Sequence, residues 1–218
     1  MTRTPASRAR PRAAGGPPFA IDLHVHTKAY SPCSVIEPDD LPRAAKAAGL
    51  AAVVITEHLA VWTPRELARL RRLEPDLLIL NGAELHVQEG DFVVIGVDSW
   101  DGLMDPMPGP DLLAKVRARG GFAIWAHPFR FGEPADRFAQ YLRPDAVEVA
   151  SSNMPPAVAA RAAALAQALG VLAGTTSDAH AVAAVGRHPF HLPRPVADEA
   201  DLVRCLREMA SGPRRPRP

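Results

Sequence analysis

The stretch Asp22-Leu23-His24-Val25-His26-Thr27 ends an apolar run, Phe19-Ala20-Ile21, that reads as a buried strand. Successive side chains of a strand face opposite ways, so His24 and His26 share a face. Two imidazoles on one rigid face can grip a single cation. The alternative for an isolated His-x-His is one core histidine and one surface histidine. Four further strand ends favour the cation because they carry more ligand types: Thr56-Glu57-His58, Gly82-Ala83-Glu84, Ala126-His127-Pro128 and Ser177-Asp178-Ala179-His180. No Gly-x-Ser-x-Gly and no convincing Ser/His/Asp set is present, so the pattern points away from a side-chain nucleophile.

The elements that must position these residues follow from the apolar runs. Strands are expected at Phe19–Thr27, Ala51–Thr56, Leu77–Leu80 (leading on to Glu84), Phe92–Val97, Phe122–Ala126, Ala146–Ala150 and Val171–Thr175. Helices are expected at Pro38–Ala48, Pro64–Leu73, Asp111–Arg119, Ala135–Leu142, Pro155–Leu169 and Ala197–Met209, with Gly49, Gly120 and Gly170 as stops. Gly90-Asp91 reads as a turn. Strands that alternate with helices and read as unbroken apolar runs are the mark of parallel strands covered by helices. Polar ligand types fall where the strands end, as on the C-terminal rim of a β/α barrel. No glycine-rich phosphate loop follows any strand, which disfavours an open nucleotide-binding sheet.

With 218 residues, 47% hydrophobic and 22% charged, the chain has the composition of one globular domain. No run approaches ~18 apolar residues, so no membrane-spanning helix is expected. The two cysteines, Cys33 and Cys205, form no disulfide framework, and a reducing cytoplasm is the simplest location. The net charge of +1 hides an asymmetry. Residues 1–18 and 212–218 hold seven arginines and no acid, which leaves 18 basic residues against 24 acids in the body, a net of −6. Both tails, rich in Pro or Gly, are expected to be disordered, with residues 19–211 forming the folded domain.

The five motifs, in this order over roughly residues 20–190, resemble the PHP (polymerase and histidinol phosphatase) superfamily of metal-dependent phosphoesterases. The resemblance implies a distorted seven-stranded TIM-like β/α barrel with two or three divalent metals, Zn, Mn or Fe, at its rim. It implies that His24, His26 and Asp178 hold one metal, and that Glu84 bridges it to a second that His127 also binds. His58 and His180 match ligands of a third. Asp22 is expected to orient a histidine by accepting its other N–H. Two places depart from the family pattern. Asp91 stands where a histidine usually follows the bridging glutamate, and a carboxylate is an acceptable substitute ligand. The loop Tyr30-Ser31-Pro32-Cys33-Ser34 lacks the usual His or Asp of the third site, leaving Cys33 as either a soft ligand or a loop residue without a role.

The chemistry implied is hydrolysis of a phosphate ester, of a small phosphorylated metabolite or a short nucleotide, with a hydroxide bridging two metals as nucleophile. Catalytic candidates are Glu84, Arg130 and His188; Arg130, Asn153 and Arg187 are candidates for substrate binding. Arg130, three residues after His127, either clamps phosphate oxygens or pairs on the surface with Glu133 or Asp136. Trp62, Trp100 and Trp125 read as packing residues. No membrane and no strong protein partner is implied. Two alternatives remain: a metal-stabilised PHP module with a structural or binding role and weak or no turnover, and an amidohydrolase. The latter usually places a bridging lysine on a later strand, and no lysine follows Lys115.

Overall fold

The computed structural model describes residues 19–132 and 134–212. The expected tails at 1–18 and 212–218 lie, apart from Gly212, outside that range. Eight strands form one sheet: β1 (Phe19–Val25), β2 (Ala52–His58), β3 (Leu78–Val87), β4 (Gly90–Ile95), β5 (Phe122–Trp125), β6 (Ala146–Ala150), β7 (Leu172–Thr175) and β8 (Phe190–Leu192). Their order is β7-β6-β5-β4-β3-β2-β1-β8. Beyond the end of β7, a parallel bridge joins Ala179 to Val25 and draws the sheet into a nearly closed barrel. The helices are α1 (Asp40–Ala47), α2 (Pro64–Arg71), α3 (Gly109–Ala118), α4 (Ala135–Phe138), α5 (Pro156–Leu169) and α6 (Glu199–Ala210).

The barrel is expected from sequence with seven parallel strands, and the structure amends both the number and the direction. β8 is a three-residue strand antiparallel to β1. β4 runs antiparallel to both β3 and β5. Only Gln88 and Glu89 separate β3 from β4, and two residues close a hairpin but cannot make a parallel crossover. The turn therefore precedes Gly90, and Asp91 lies within β4, paired across the hairpin with His86. α4 stops at Phe138 rather than Leu142.

Alternation along the strands separates the core into an inside and an outside. Ile21, Leu23, Val54, Leu80, Val93, Ile95, Phe122 and Ile124 pack together within the barrel, and Leu202, Val203, Cys205 and Leu206 of α6 close this cluster. The opposite faces pack under α1 and α2 (Val53, Ile55, Ile79, Leu41, Leu67) or under α3 and α5 (Phe92, Val94, Trp125, Leu112, Ala162). β1 changes phase on the way up. Its register against β2 shifts between Asp22 and Val25. Below the shift Ile21 and Leu23 join the interior; above it Val25 joins the outer cluster, and His24 and His26 come to face the other ligands. The apolar interior is thus a plug beneath the rim. Phe122 is fully buried in it, and Phe122→Ala is expected to cost about 3–5 kcal/mol of stability, read by urea unfolding.

Candidate metal centre

Six strands bring the eight ligand candidates to the rim. β1 carries His24, with His26 just past its end, β2 ends on His58, β3 carries Glu84, and Asp91 is the second residue of β4. His127 follows β5, and Asp178 and His180 follow β7. Four groups of side chains come within 4.8 Å, ligand atom to ligand atom: His24/His26/Glu84, His24/His127/Asp178, Glu84/Asp91/His127 and His26/His58/His180. All eight residues implied as ligands are therefore brought together. Glu84 stands between two groups. Its Oε2 lies 3.3 Å from His24 Nε2, 3.2 Å from His26 Nε2 and 3.0 Å from His58 Nδ1, while its Oε1 lies 3.0 Å from His127 Nε2. Asp178 Oδ1 lies 3.6 Å from His24 Nε2 and 3.5 Å from His26 Nε2.

The donor set fits divalent cations. Glu84 Oε2 and Asp178 Oδ1 are buried and make no hydrogen bond among the described residues. A buried carboxylate oxygen without a partner is costly unless a cation faces it. Without a cation, protons are the available counter-charge. Burial opposes charge on His24, yet the Glu84 and Asp178 carboxylates and a contact with Glu148 hold its pKa well above the ordinary value. His26 and His127 are raised against the same burial penalty, His26 by Asp178 and Glu84 and His127 by Glu84. Burial would likewise raise Glu84 and Asp178, but the surrounding histidines hold Glu84 well below and Asp178 below the usual carboxylate range. His180 is lowered, first by burial and then by its neighbour His26.

The backbone is held in unfavourable conformations at this rim. Leu59, His127, Phe129 and Asp178 have φ of 50°, 27°, 72° and 44°. Such residues persist when their surroundings over-determine them. The Glu148 carboxylate accepts the His127 backbone N–H. Asp178 is fixed through Oδ2, which accepts from Arg130 Nη1 at 2.7 Å and Asn153 Nδ2 at 3.0 Å; Asn153 also donates to the Asp178 carbonyl at 2.8 Å. Arg130 and Asn153, expected to bind substrate, thus first of all hold the carboxylate of Asp178, a ligand candidate. Arg130 is 24% exposed; of its two expected surface partners, Asp136 pairs with Arg161 instead and Glu133 lies outside the described residues.

Arg187 is exposed and His188 half-buried, and among the described residues neither side chain bonds to a ligand group. His188 is tied by its backbone N–H to Ser177 Oγ at 3.2 Å. Asp91 Oδ1 lies 2.6 Å from Nδ1 of the exposed His86 across the hairpin, and its Oδ2 lies 4.0 Å from His127 Nδ1. Cys33 is exposed and joins none of the four groups. Cys33→Ala is accordingly expected to leave metal content unchanged and stability within about 0.5 kcal/mol, checked by elemental analysis and thermal unfolding.

Asp22 is not the histidine's orienting partner. It lies below the shift in β1, and its carboxylate accepts from the backbone N–H groups of Ser177 (2.9 Å) and Gly186 (2.9 Å), pinning the segment that carries Asp178 and His180. The carboxylate nearest that nitrogen belongs to Glu148, whose Oε1 lies 3.5 Å from His24 Nδ1, though Nδ1 makes no hydrogen bond among the described residues. Glu148 and Glu57 are both fully buried, and the sequence reading assigns neither a role. The available signal was a carboxylate inside an otherwise apolar strand, Ala-Val-Glu-Val-Ala and Val-Ile-Thr-Glu-His. Trp62 packs as expected, but its Nε1–H also donates to Glu57 at 3.0 Å.

A family model for the PHP domain matches residues 22–174, and one for a PHP-associated region matches residues 159–211. An uncharacterized protein of Methanocaldococcus jannaschii is 30% identical over 118 residues, which cover 50% of this chain and 67% of that protein. An amidohydrolase from Chromobacterium violaceum, solved with bound sulfate and no metal, superposes with a TM-score of 0.63 at 18% identity, covering 79% of this chain and 92% of that one. A two-domain protein of Bacteroides vulgatus containing a predicted PHP-like metal-dependent phosphoesterase superposes with a TM-score of 0.60 at 19% identity, covering 84% of this chain and 58% of that one. These two solved structures share its fold.

Proposed function

The chain belongs to the PHP domain family, and from that premise we propose that it is a metal-dependent phosphoesterase acting on a small phosphorylated metabolite or short nucleotide. The observation that carries this reading is the placement of Glu84, one oxygen toward His24, His26 and His58 and the other toward His127. His24, His26, Asp178, Glu84, His127 and Asp91 would hold a pair of cations, and His26, His58 and His180 a third. Imidazole nitrogens suit Zn and Fe, and the carboxylates also accept Mn. Bound there, divalent ions supply Lewis acidity to a phosphoryl oxygen and lower the pKa of a water to near neutral.

The chain's own groups do the positioning. Glu84 would serve both cation positions, and Glu148 holds the His127 backbone in place beside His24. Arg130, fixed against Asp178 at the rim, meets a phosphate without first having to be ordered. Residues 19–211 are read as one catalytic unit, with the basic tails outside it. Among the described residues no helix is long and apolar enough to cross a membrane; a cytoplasmic location remains our proposal.

The test is metal content per chain measured alongside hydrolysis of phosphate mono- and diester model substrates. Two or more bound ions with ester hydrolysis support the reading. Several preparations without metal, even after Mn or Zn supplementation, overturn it. Bound metal without hydrolysis of either ester favours a metal-stabilised binding module instead. An amidohydrolase reading lacks its bridging lysine: the residue that reaches two of the ligand groups here is Glu84, and no lysine follows Lys115.

A further inference from the structure

Ser31 lies in the loop that usually supplies a third-site ligand in the resembled family. It is fully buried, and its hydroxyl sits between three partners whose roles can be settled by elimination. Glu57 meets donors on every side: the Thr27 backbone N–H at 3.1 Å, the Thr27 hydroxyl, the Trp62 indole N–H at 3.0 Å and Ser31 Oγ at 2.6 Å. A backbone or indole N–H can only donate, and a hydroxyl beside a carboxylate oxygen donates to it. The single proton of Ser31 is therefore spent on Glu57.

Two neighbours remain for the lone pairs of Ser31 Oγ. One is the His58 backbone N–H at 3.1 Å, which can only donate. The other is His26 Nδ1 at 3.2 Å. An oxygen with no proton left to give must accept from that nitrogen, so Nδ1 carries the hydrogen. With a cation in place of any proton there, the opposite nitrogen, Nε2, offers the lone pair, and it is the atom that lies 3.2 Å from Glu84 Oε2 and 2.9 Å from His24 Nε2.

We propose that Glu57 and Ser31 form a relay that fixes His26 as its Nδ1–H tautomer and aims its Nε2 lone pair at the cation. The loop that gives no ligand atom thus acts through its neighbours, holding the His26 ring and the His58 backbone with one hydroxyl. Ser31 and Glu57 are positioning residues, not catalytic ones. This inference rests on the metal-centre reading, and groups of this kind typically change metal affinity 10–100-fold when removed.

The test uses the full chain loaded with Zn²⁺ and labelled with ¹⁵N-histidine. The His26 ring is identified by the signal lost in His26→Asn. The expected spectrum shows a hydrogen-bearing Nδ1 and a metal-bound Nε2 for His26. Competition with a chromogenic chelator should show Ser31→Ala binding zinc roughly 10–100-fold more weakly, with Ser31→Thr, which keeps the hydroxyl, recovering most of the affinity. A His26 ring that carries its hydrogen on Nε2, or a Ser31→Ala chain that binds zinc as wild type does, overturns the relay. Should Ser31→Ala fail to fold, the wild-type spectrum and Ser31→Thr decide. Should the relay be seen while neither model ester is hydrolysed, the phosphoesterase reading fails and the relay stands.

Discussion

Glu84→Gln is expected to lower kcat for the best model ester by at least about 10³-fold, while Arg130→Ala lowers it by roughly 10–100-fold. The difference follows from what each side chain touches. Glu84 offers a charged oxygen to each of two ligand groups, and Oε2 is buried without a hydrogen bond. An amide at that place loses the charge that offsets two cations and turns one of its two ends into a donor facing histidine nitrogens. Arg130 stands at the edge, bonded to an oxygen of Asp178 that faces away from the His24 and His26 contacts. Its loss weakens phosphate contact and loosens one ligand, but Asn153 still holds the same oxygen. His127→Ala should resemble Glu84→Gln, with the second cation lost from elemental analysis. A folded Glu84→Gln protein with near-wild-type kcat would show that the bridging assignment is wrong.

Chelation is expected to lower the melting temperature by roughly 5–10 °C at neutral pH, and the drop should shrink as the pH is lowered toward 5.5. A ligand that binds only the folded state at 100 times its Kd adds about 2.7 kcal/mol, which corresponds to that shift in a domain of this size. The pH dependence comes from the metal-free protein. His24, His26 and His127 are raised in the fold, so their contribution to its stability is full below the unfolded histidine value and fades as pH rises through the folded values. Glu84 and Asp178 are lowered, so theirs is full above the unfolded carboxylate value and fades only as pH falls through the folded values. The two overlap between roughly pH 4.5 and 6.5, where the metal-free protein is most stable. Bound metal competes with the same protons and is displaced as pH falls. Calorimetry with and without chelator from pH 5.5 to 8 reads the difference; a chelator effect that grows on acidification would contradict the placement of these histidines against the carboxylates.

The sequence by itself named the eight ligand candidates that the fold brings together. Unbroken apolar runs located seven of the eight strands, and the runs of β1, β2, β3, β5 and β7 lead into ligand types because the ends of parallel strands share one rim. The pairing of His24 with His26 needed only the two-residue period of a strand. The tertiary structure decided what period and run length do not encode. An apolar run reads the same in either direction, so the antiparallel β4 was hidden, and with it the placement of Asp91 opposite His86. The three residues of β8 are too few to show a pattern. The shift within β1 removed Asp22 from the histidine face, and the alternation rule, which assumes an unbroken strand, could not foresee it. The roles of Glu148 and Glu57 arise where strands and loops distant in the chain converge: Glu148 reaches His127 and Thr176, and Glu57 reaches Thr27 and Ser31. A hydrogen bond depends on distance and direction between two such segments. Barrel closure sets both, and a residue type in a sequence carries neither.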